Sequence, residues 1–219
     1  PVGSQLEVGQ IYDSNRYTLH GMLVRLGVEI IDLGVIEDKR EAVEQAFIDA
    51  ADKANVIITS GGVSVGDADF VKETLEKIGE VNFWKVAMKP GRPLAFGKIK
   101  NTWFFGLPGN PVSVMVTFYM FVQPALKKLT GSKYQAPLMI RANCQTKLRK
   151  RPGRVEYQRG ILTQSENDPT QYKVIKTGAQ GSGILRSMSD ANCFIILPME
   201  SEGVEEGDNV QVLPFDAII

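Results

Sequence analysis

The sequence holds one histidine, His20, and two cysteines, Cys144 and Cys193. Two thiols cannot build a disulfide framework, nor a four-ligand zinc site by themselves, so both read as buried free thiols of a reducing compartment. One imidazole excludes a histidine-rich metal centre and leaves a Ser–His–Asp triad a single candidate base. An excess of charge of one sign is also lacking: 25 Lys and Arg balance 25 Asp and Glu. A nucleic-acid binder would usually show a basic surplus. The longest apolar stretch, residues 112–126, contains Gln123 and Pro124 and falls short of the ~20 residues of a membrane span; it reads as a buried helix. No repeat or low-complexity segment is present. The chain opens Pro-Val-Gly, without Met, basic n-region or apolar h-region, so the reading is of no signal peptide and of a piece of something longer.

What is present is ordinary globular usage. Apolar residues make up 43% and charged residues 23% of 219 positions, which excludes wholesale disorder and suffices for one large domain or two smaller ones. Residues 14–26 show helical spacing and stop at Gly27. Residues 28–36 (VEIIDLGVI) read as an apolar strand, residues 37–54 as an amphipathic helix, and residues 55–59 as a buried strand. A Gly-rich turn, residues 60–70, leads into a helix that ends at Gly79. Three strands follow, at residues 81–88, 93–99 and 101–107, and then the long apolar helix, ending near Gly131. Strands apolar on both faces and interleaved with helices predict a three-layer, mostly parallel α/β sheet. After a polar linker the texture changes to short alternating segments separated by turns, which predicts a small all-β, barrel-like domain. The expected division is residues 1–133 and 134–219.

Four motifs carry chemistry. The turn Thr59-Ser60-Gly61-Gly62-Val63-Ser64-Val65-Gly66 leaves a strand for a helix, where glycines admit a close anion and helix-start N–H groups favour phosphate. A tight turn needing positive φ at Gly61 or Gly62 explains it equally well. Asp67 and Asp69 stand just beyond. One is expected to cap the helix, and the other suits Mg²⁺ beside a phosphate. Asp38, after the strand at 28–36, is expected on the same sheet edge, with an N-cap as its alternative. In Lys85-Val-Ala-Met-Lys89-Pro90-Gly91-Arg92-Pro93 the two lysines would share one strand face, and with Arg92 they suggest a dianion site; a solvated basic edge is the alternative. Leu107-Pro108-Gly109-Asn110-Pro111 reads as strand-to-helix punctuation, with Asn110 as N-cap and Pro111 in the first turn. In the β domain, Arg154, Arg159 and the turn Ala179-Gln180-Gly181-Ser182-Gly183 are candidates to face a cleft.

GGVSVGDAD, FWKVAMKPGRP and FFGLPGNPVS, in that order, with GRVEYQRG and QGSG further on, resemble the molybdopterin molybdenumtransferase family, of which the E domain of gephyrin is a relative. The resemblance implies a molybdopterin-binding α/β domain with the family's C-terminal β domain, without the N-terminal domains. It implies insertion of molybdenum from molybdate into adenylylated molybdopterin, with phosphoanhydride hydrolysis and release of AMP, assisted by Mg²⁺. By motif match, Ser60, Gly61, Gly62 and Ser64 would cradle the pterin phosphate, and Asp38 and Asp69 would serve the metal and pyrophosphate. Lys85, Lys89, Arg159 and Ser182, joined by Arg92, would hold molybdate or phosphate, and Pro108 and Pro111 would shape the loop beneath. It further implies a cytoplasmic homodimer in contact with the molybdopterin adenylyltransferase, with no nucleic acid and no membrane. Two alternatives are a pterin-site scaffold without turnover and a related nucleotide pyrophosphate hydrolase. An intact Asp38, Asp69, Lys85 and Lys89 set speaks against the first, and the β domain against the second.

Overall fold

The computed structural model describes residues 12–62, 69–133 and 135–218, with residues 69 and 70 in backbone only. In chain order the elements are α1 (Ser14–Arg25), α2 (Arg40–Lys53), β1 (Val56–Ser60), α3 (Asp69–Ile78), β2 (Gly79–Lys85), β3 (Met88–Lys89), β4 (Pro93–Ile99), β5 (Thr102–Leu107) and α4 (Pro111–Thr117). There follow a π-turn (Phe118–Val122), α5 (Gln123–Leu129), β6 (Ile140–Cys144), β7 (Leu148–Arg149), β8 (Val155–Gln164), β9 (Tyr172–Lys176), α6 (Arg186–Ser189), β10 (Cys193–Leu197), β11 (Gly203–Val204) and β12 (Asn209–Pro214). The chain divides into two compact units. One comprises Pro1–Lys85 and Pro93–Gln123, and the other Val86–Arg92 and Pro124–Ile219.

The first unit is α/β. Its sheet runs β1-β5-β4-β2, with β1 parallel to β5 and the other pairs antiparallel, so the described sheet is mixed rather than mostly parallel as expected. The last three strands follow one another through short connections, which favour antiparallel pairing. The apolar faces of α2 and α3 close over it: Phe47 and Ala50 from α2 and Leu75 from α3 meet Ile57, Val81, Ala95, Ile99 and Phe104. Phe47 and Phe104 meet edge to face, with centroids 5.5 Å apart, a favoured aromatic geometry. Asp13 caps α1 by accepting the Arg16 N–H, and Gly27 past its end takes φ +67°. Gly21 sits exposed inside α1, where an added Cβ would meet nothing within 4 Å. Gly21→Ala is therefore expected to stabilise the chain by about 0.5–1 kcal/mol, read as a raised thermal midpoint.

Residues 28–36 depart from expectation. They form no ladder among the described residues, and Ile31, Leu33, Val35 and Ile36 are exposed. What holds the segment is polar. Asp32 accepts from Nε of Arg16 in α1 at 2.9 Å and from the Gly34 N–H at 2.9 Å. The Gly34 N–H, then the Arg16 guanidinium, hold the Asp32 carboxyl below the usual carboxylate range. An apolar β-branched run specifies extended backbone but not a ladder, which needs a partner edge in register.

The long apolar helix forms with one interruption. Pro124 has no N–H to offer the carbonyl four residues back, and the helix widens just before it into a π-turn in which the Gln123 N–H reaches the Phe118 carbonyl. The helix is closed off at Gly131, φ +84°, where the N–H groups of Gly131 and Ser132 bond back to the carbonyls of Lys128 and Lys127.

The second unit is a six-stranded sheet, β10-β12-β6-β9-β8-β3, in which β8 also pairs with β10, accompanied by the small pair β11-β7. The added β8–β10 pairing curls the sheet back on itself. Its core gathers Ala142, Cys144, Leu148, Val174, Cys193, Ile195, Leu197, Val210 and Val212. Both cysteines are buried and free, as the composition implied, and burial pushes the Cys193 thiol up to about 12. The four-residue helix α6 had no counterpart in the periodicity, being too short to show one. Lys150 is also buried, its ammonium donating to the carbonyls of Arg151, Met199 and Ser201 at 3.0–3.2 Å.

Candidate functional site

In the α/β unit the two Gly- and Pro-rich turns meet. The Gly61 N–H donates to the Leu107 carbonyl at 3.0 Å, and a Cβ on Gly109 would lie 3.8 Å from Cα of Gly61. Gly61 and Gly62 take φ +90° and +71°, the left-handed backbone expected of them. The Gly61 N–H is thus engaged within the protein, so this residue contributes the turn and the close approach. Side-chain lacing comes from Asn15 in the first turn of α1. Its Nδ2 donates to Ser60 Oγ at 2.8 Å and to the Gly109 carbonyl at 2.7 Å, while its Oδ1 is buried without a partner among the described residues. Pro108 is buried and Pro111 half-buried, and Asn110 stands at the N-cap of α4 without a side-chain cap bond.

A cavity of about 510 Å³ opens beside these turns, within the range of small-molecule sites. Aliphatic side chains of α2, β1 and residues 30–36 line much of it, and its polar lining includes Asn15, Asp38, Ser60 and the Gly61–Gly62 backbone. Asp38 is exposed and does not cap α2; that place falls to Lys39, which makes no side-chain cap bond. Asp69 opens α3. Its side chain, Asp67 and Ser64 lie outside the described residues. Among the described residues no three acidic, His or Cys side chains cluster as a metal site.

The shared strand face expected for Lys85 and Lys89 is not formed. Lys85, exposed, ends β2 opposite Pro93, whereas Lys89 lies in β3, which takes its ladder from β8 with Met88 opposite Val155 and Lys89 opposite Glu156. Val86 bonds locally, its N–H donating to the Arg92 carbonyl, while Met88 and Lys89 pair in the other sheet, and a two-residue period does not survive a change of sheet. The Lys89 ammonium is 3.2 Å from the carboxylate of buried Glu156, which also accepts from Gln158 Nε2 at 3.1 Å. Arg92 is exposed at the end of the same segment.

Also in the β unit, Arg159 is only 1% exposed. Its Nε donates to Ser187 Oγ at 3.0 Å and its Nη2 to the Gly181 carbonyl at 3.1 Å. No carboxylate pairs with it among the described ion pairs, and burial pushes it down to about 10. Gln180 clamps the same turn: Oε1 accepts the Arg159 N–H at 2.7 Å, while Nε2 donates to the Arg159 carbonyl, at 3.1 Å, and to both oxygens of Thr177. Ser182, half-buried, sits in the turn so held. A buried guanidinium at the foot of a glycine turn suits an oxyanion. Sequence reasoning missed Asn15, hidden as one polar residue in a helical first turn, and Ser187, which has no motif. It named Gln180 only as part of its turn.

Comparison with known proteins accords with this architecture. Residues 1–128 match the family model described as a probable molybdopterin binding domain, and residues 141–215 match the MoeA C-terminal region, domain IV. The molybdopterin molybdenumtransferase of Haemophilus influenzae is 48% identical over 219 residues, covering 100% of this chain and 54% of that protein. Gephyrin of Dictyostelium discoideum is 36% identical over 242 residues, covering 95% of this chain and 33% of gephyrin. The crystal structure of a molybdopterin biosynthesis MoeA protein from Pyrococcus horikosii superposes with a TM-score of 0.78 at 31% identity, over 98% of this chain and 51% of that one. The chain spans about half the length, or less, of these relatives. With the α/β unit matched by the first family model and the β unit by the second, the chain belongs to the molybdopterin-binding domain family of molybdenum-cofactor biosynthesis, joined to a MoeA-type C-terminal region.

Proposed function

We propose that the protein to which this chain belongs inserts molybdenum into adenylylated molybdopterin, hydrolysing the phosphoanhydride and releasing AMP. The observation that carries the reading is the cavity of the α/β unit, which brings Asp38, Ser60 and the Gly61–Gly62 turn together in a chain of this family. Ser60 and the glycine turn take the phosphate of the pterin substrate, with Ser64 in the same motif. Lys85 supplies a cation at the end of β2, and Pro108 and Pro111 stiffen the turn against which Gly61 packs. In the β unit, Lys89, Arg92 and Ser182 meet an oxyanion, molybdate or phosphate, and Arg159 holds the Ser182 turn and lends its charge from beneath. Cleavage of a phosphoanhydride is chiefly positioning and charge neutralisation, so a chain with one histidine can support it.

Magnesium fits the donor chemistry. It is commonly held by one or two carboxylates with water and substrate phosphate completing the shell, and Asp38 on the cavity, with Asp69 as the second carboxylate, meets that need without a protein-only cluster. When bound, the ion would neutralise phosphate charge. The reading includes a homodimer, contact with the molybdopterin adenylyltransferase and a cytoplasmic setting. No helix among the described residues is long and apolar enough to cross a membrane.

Asp38→Asn tests it. In the full-length protein, magnesium-dependent AMP release from adenylylated molybdopterin is expected to fall by about 100-fold or more, with the thermal midpoint unchanged because Asp38 is exposed and uncapping. Turnover at the unaltered rate would remove Asp38 from the reaction.

A further inference from the structure

We infer that Asn15 is a positioning residue that turns the Ser60 hydroxyl proton toward a bound phosphate ester; this rests on the reading that Ser60 contacts the phosphate. The Gly109 carbonyl can only accept, so the Nδ2 end of the Asn15 amide must face it, and the second Nδ2 hydrogen goes to Ser60 Oγ. A hydroxyl that accepts one hydrogen bond has its own proton to donate elsewhere. Among the described residues that proton has no acceptor, and Ser60 is exposed on the lining of the 510 Å³ cavity. Oδ1 of Asn15, buried and without a partner among the described residues, shows that this orientation is imposed. Turning the amide over would face one carbonyl oxygen with another, so the side chain keeps two bonds and leaves one acceptor unmet. Free Ser60 would rotate its proton toward Asn15, water or ligand alike. Held by Nδ2, the hydroxyl keeps its proton turned away from Asn15 and toward the cavity, which matches an anion.

A double-mutant cycle on this chain tests the assignment, with the phosphomonoester of 6-hydroxymethylpterin as probe, binding read by calorimetry and folding by thermal midpoint. Ser60→Ala and Asn15→Ala are each expected to weaken binding about tenfold, the range of one hydrogen bond to a charged group. The double variant is expected to lose no more than Ser60→Ala alone, because Asn15 acts through Ser60. Asn15→Gln carries its amide one methylene further out and is expected to lose affinity to the same degree with the midpoint retained; it serves in place of Asn15→Ala if that variant does not fold. Losses that simply add overturn the positioning role while leaving Ser60 as a phosphate contact, and so does full affinity in Asn15→Gln. No loss in Ser60→Ala, or no binding by the unaltered chain, overturns the phosphate reading itself and the inference with it.

Discussion

Gly97→Ala is expected to unfold the α/β unit, lowering stability by about 4 kcal/mol or more, at the extreme of single-substitution effects. A Cβ there would lie 2.0 Å from the Glu80 carbonyl oxygen and 2.6 Å from Cα of Val81. Those are backbone atoms of β2, which pairs with β4 along its whole length, Gly79 opposite Ile99 through Lys85 opposite Pro93. No side chain can swing aside, so the ladder itself must part. Gly178→Ala, in an exposed turn with nothing within 4 Å of the added carbon, is the matched control and should stay within about 0.5 kcal/mol. Chemical denaturation followed by circular dichroism reads both, and tryptophan emission reads the α/β unit alone, since Trp84 and Trp103 lie in β2 and β5. A Gly97→Ala midpoint equal to that of the control would show that the two strands are not so close.

Arg159→Met is expected to separate function from stability. Depression of the guanidinium from its ordinary value to about 10 corresponds to roughly 3 kcal/mol of unfavourable charge burial. Removing the charge relieves that cost, and it also removes two hydrogen bonds, to Ser187 and Gly181, worth roughly 1.5–3 kcal/mol each when the donor is charged. The two effects largely offset, so unfolding free energy should fall by about 3 kcal/mol or less near neutral pH, as replacement of buried ions by apolar residues often shows. On the proposed function, molybdate-dependent turnover of the full-length protein should fall by about 100-fold or more, because the turn carrying Ser182 loses the bond to its Gly181 carbonyl and the buried charge beneath it. The pH dependence has a definite sign. A base whose folded pKa is lowered sheds its proton from the native state first, so its penalty is constant below about pH 10 and shrinks as pH rises from there toward the unfolded value. The wild-type chain should recover stability relative to Arg159→Met across that alkaline window and not at acid pH. Unchanged turnover in Arg159→Met would make the residue a structural strut.

Much of the scaffold was legible before any coordinate. The helices from Ser14 and across residues 40–53, the strand at 56–60, the hairpin strands before α4 and the run of short strands after residue 138 all announce themselves by periodicity and by Gly or Pro at their ends, because burial of one face dictates those patterns locally. Positive φ at Gly61 and Gly62 was legible for the same reason. The site was legible as residue types and not as connections. KVAMKPGRP displays its cations openly, yet nothing in it says that the backbone changes sheets between Lys85 and Met88, or that Lys89 meets Glu156, 67 positions away. The QRG motif offers an arginine without saying that it is buried under the Gly181 turn. Asn15, which joins two turns 45 and 94 positions further along the chain, leaves no local trace at all.

Composition and order of residues by themselves determined that this is an α/β unit followed by a β unit, and which residue types its turns present. Those are properties of short windows, where side-chain type and backbone preference act together. Tertiary structure alone decided which edge takes Met88 and Lys89, why residues 28–36 stay outside a ladder, and which polar groups face one another. Hydrogen-bond pairing and desolvation depend on what stands opposite in space, and contacts across tens of residues are set by the packing of the whole chain.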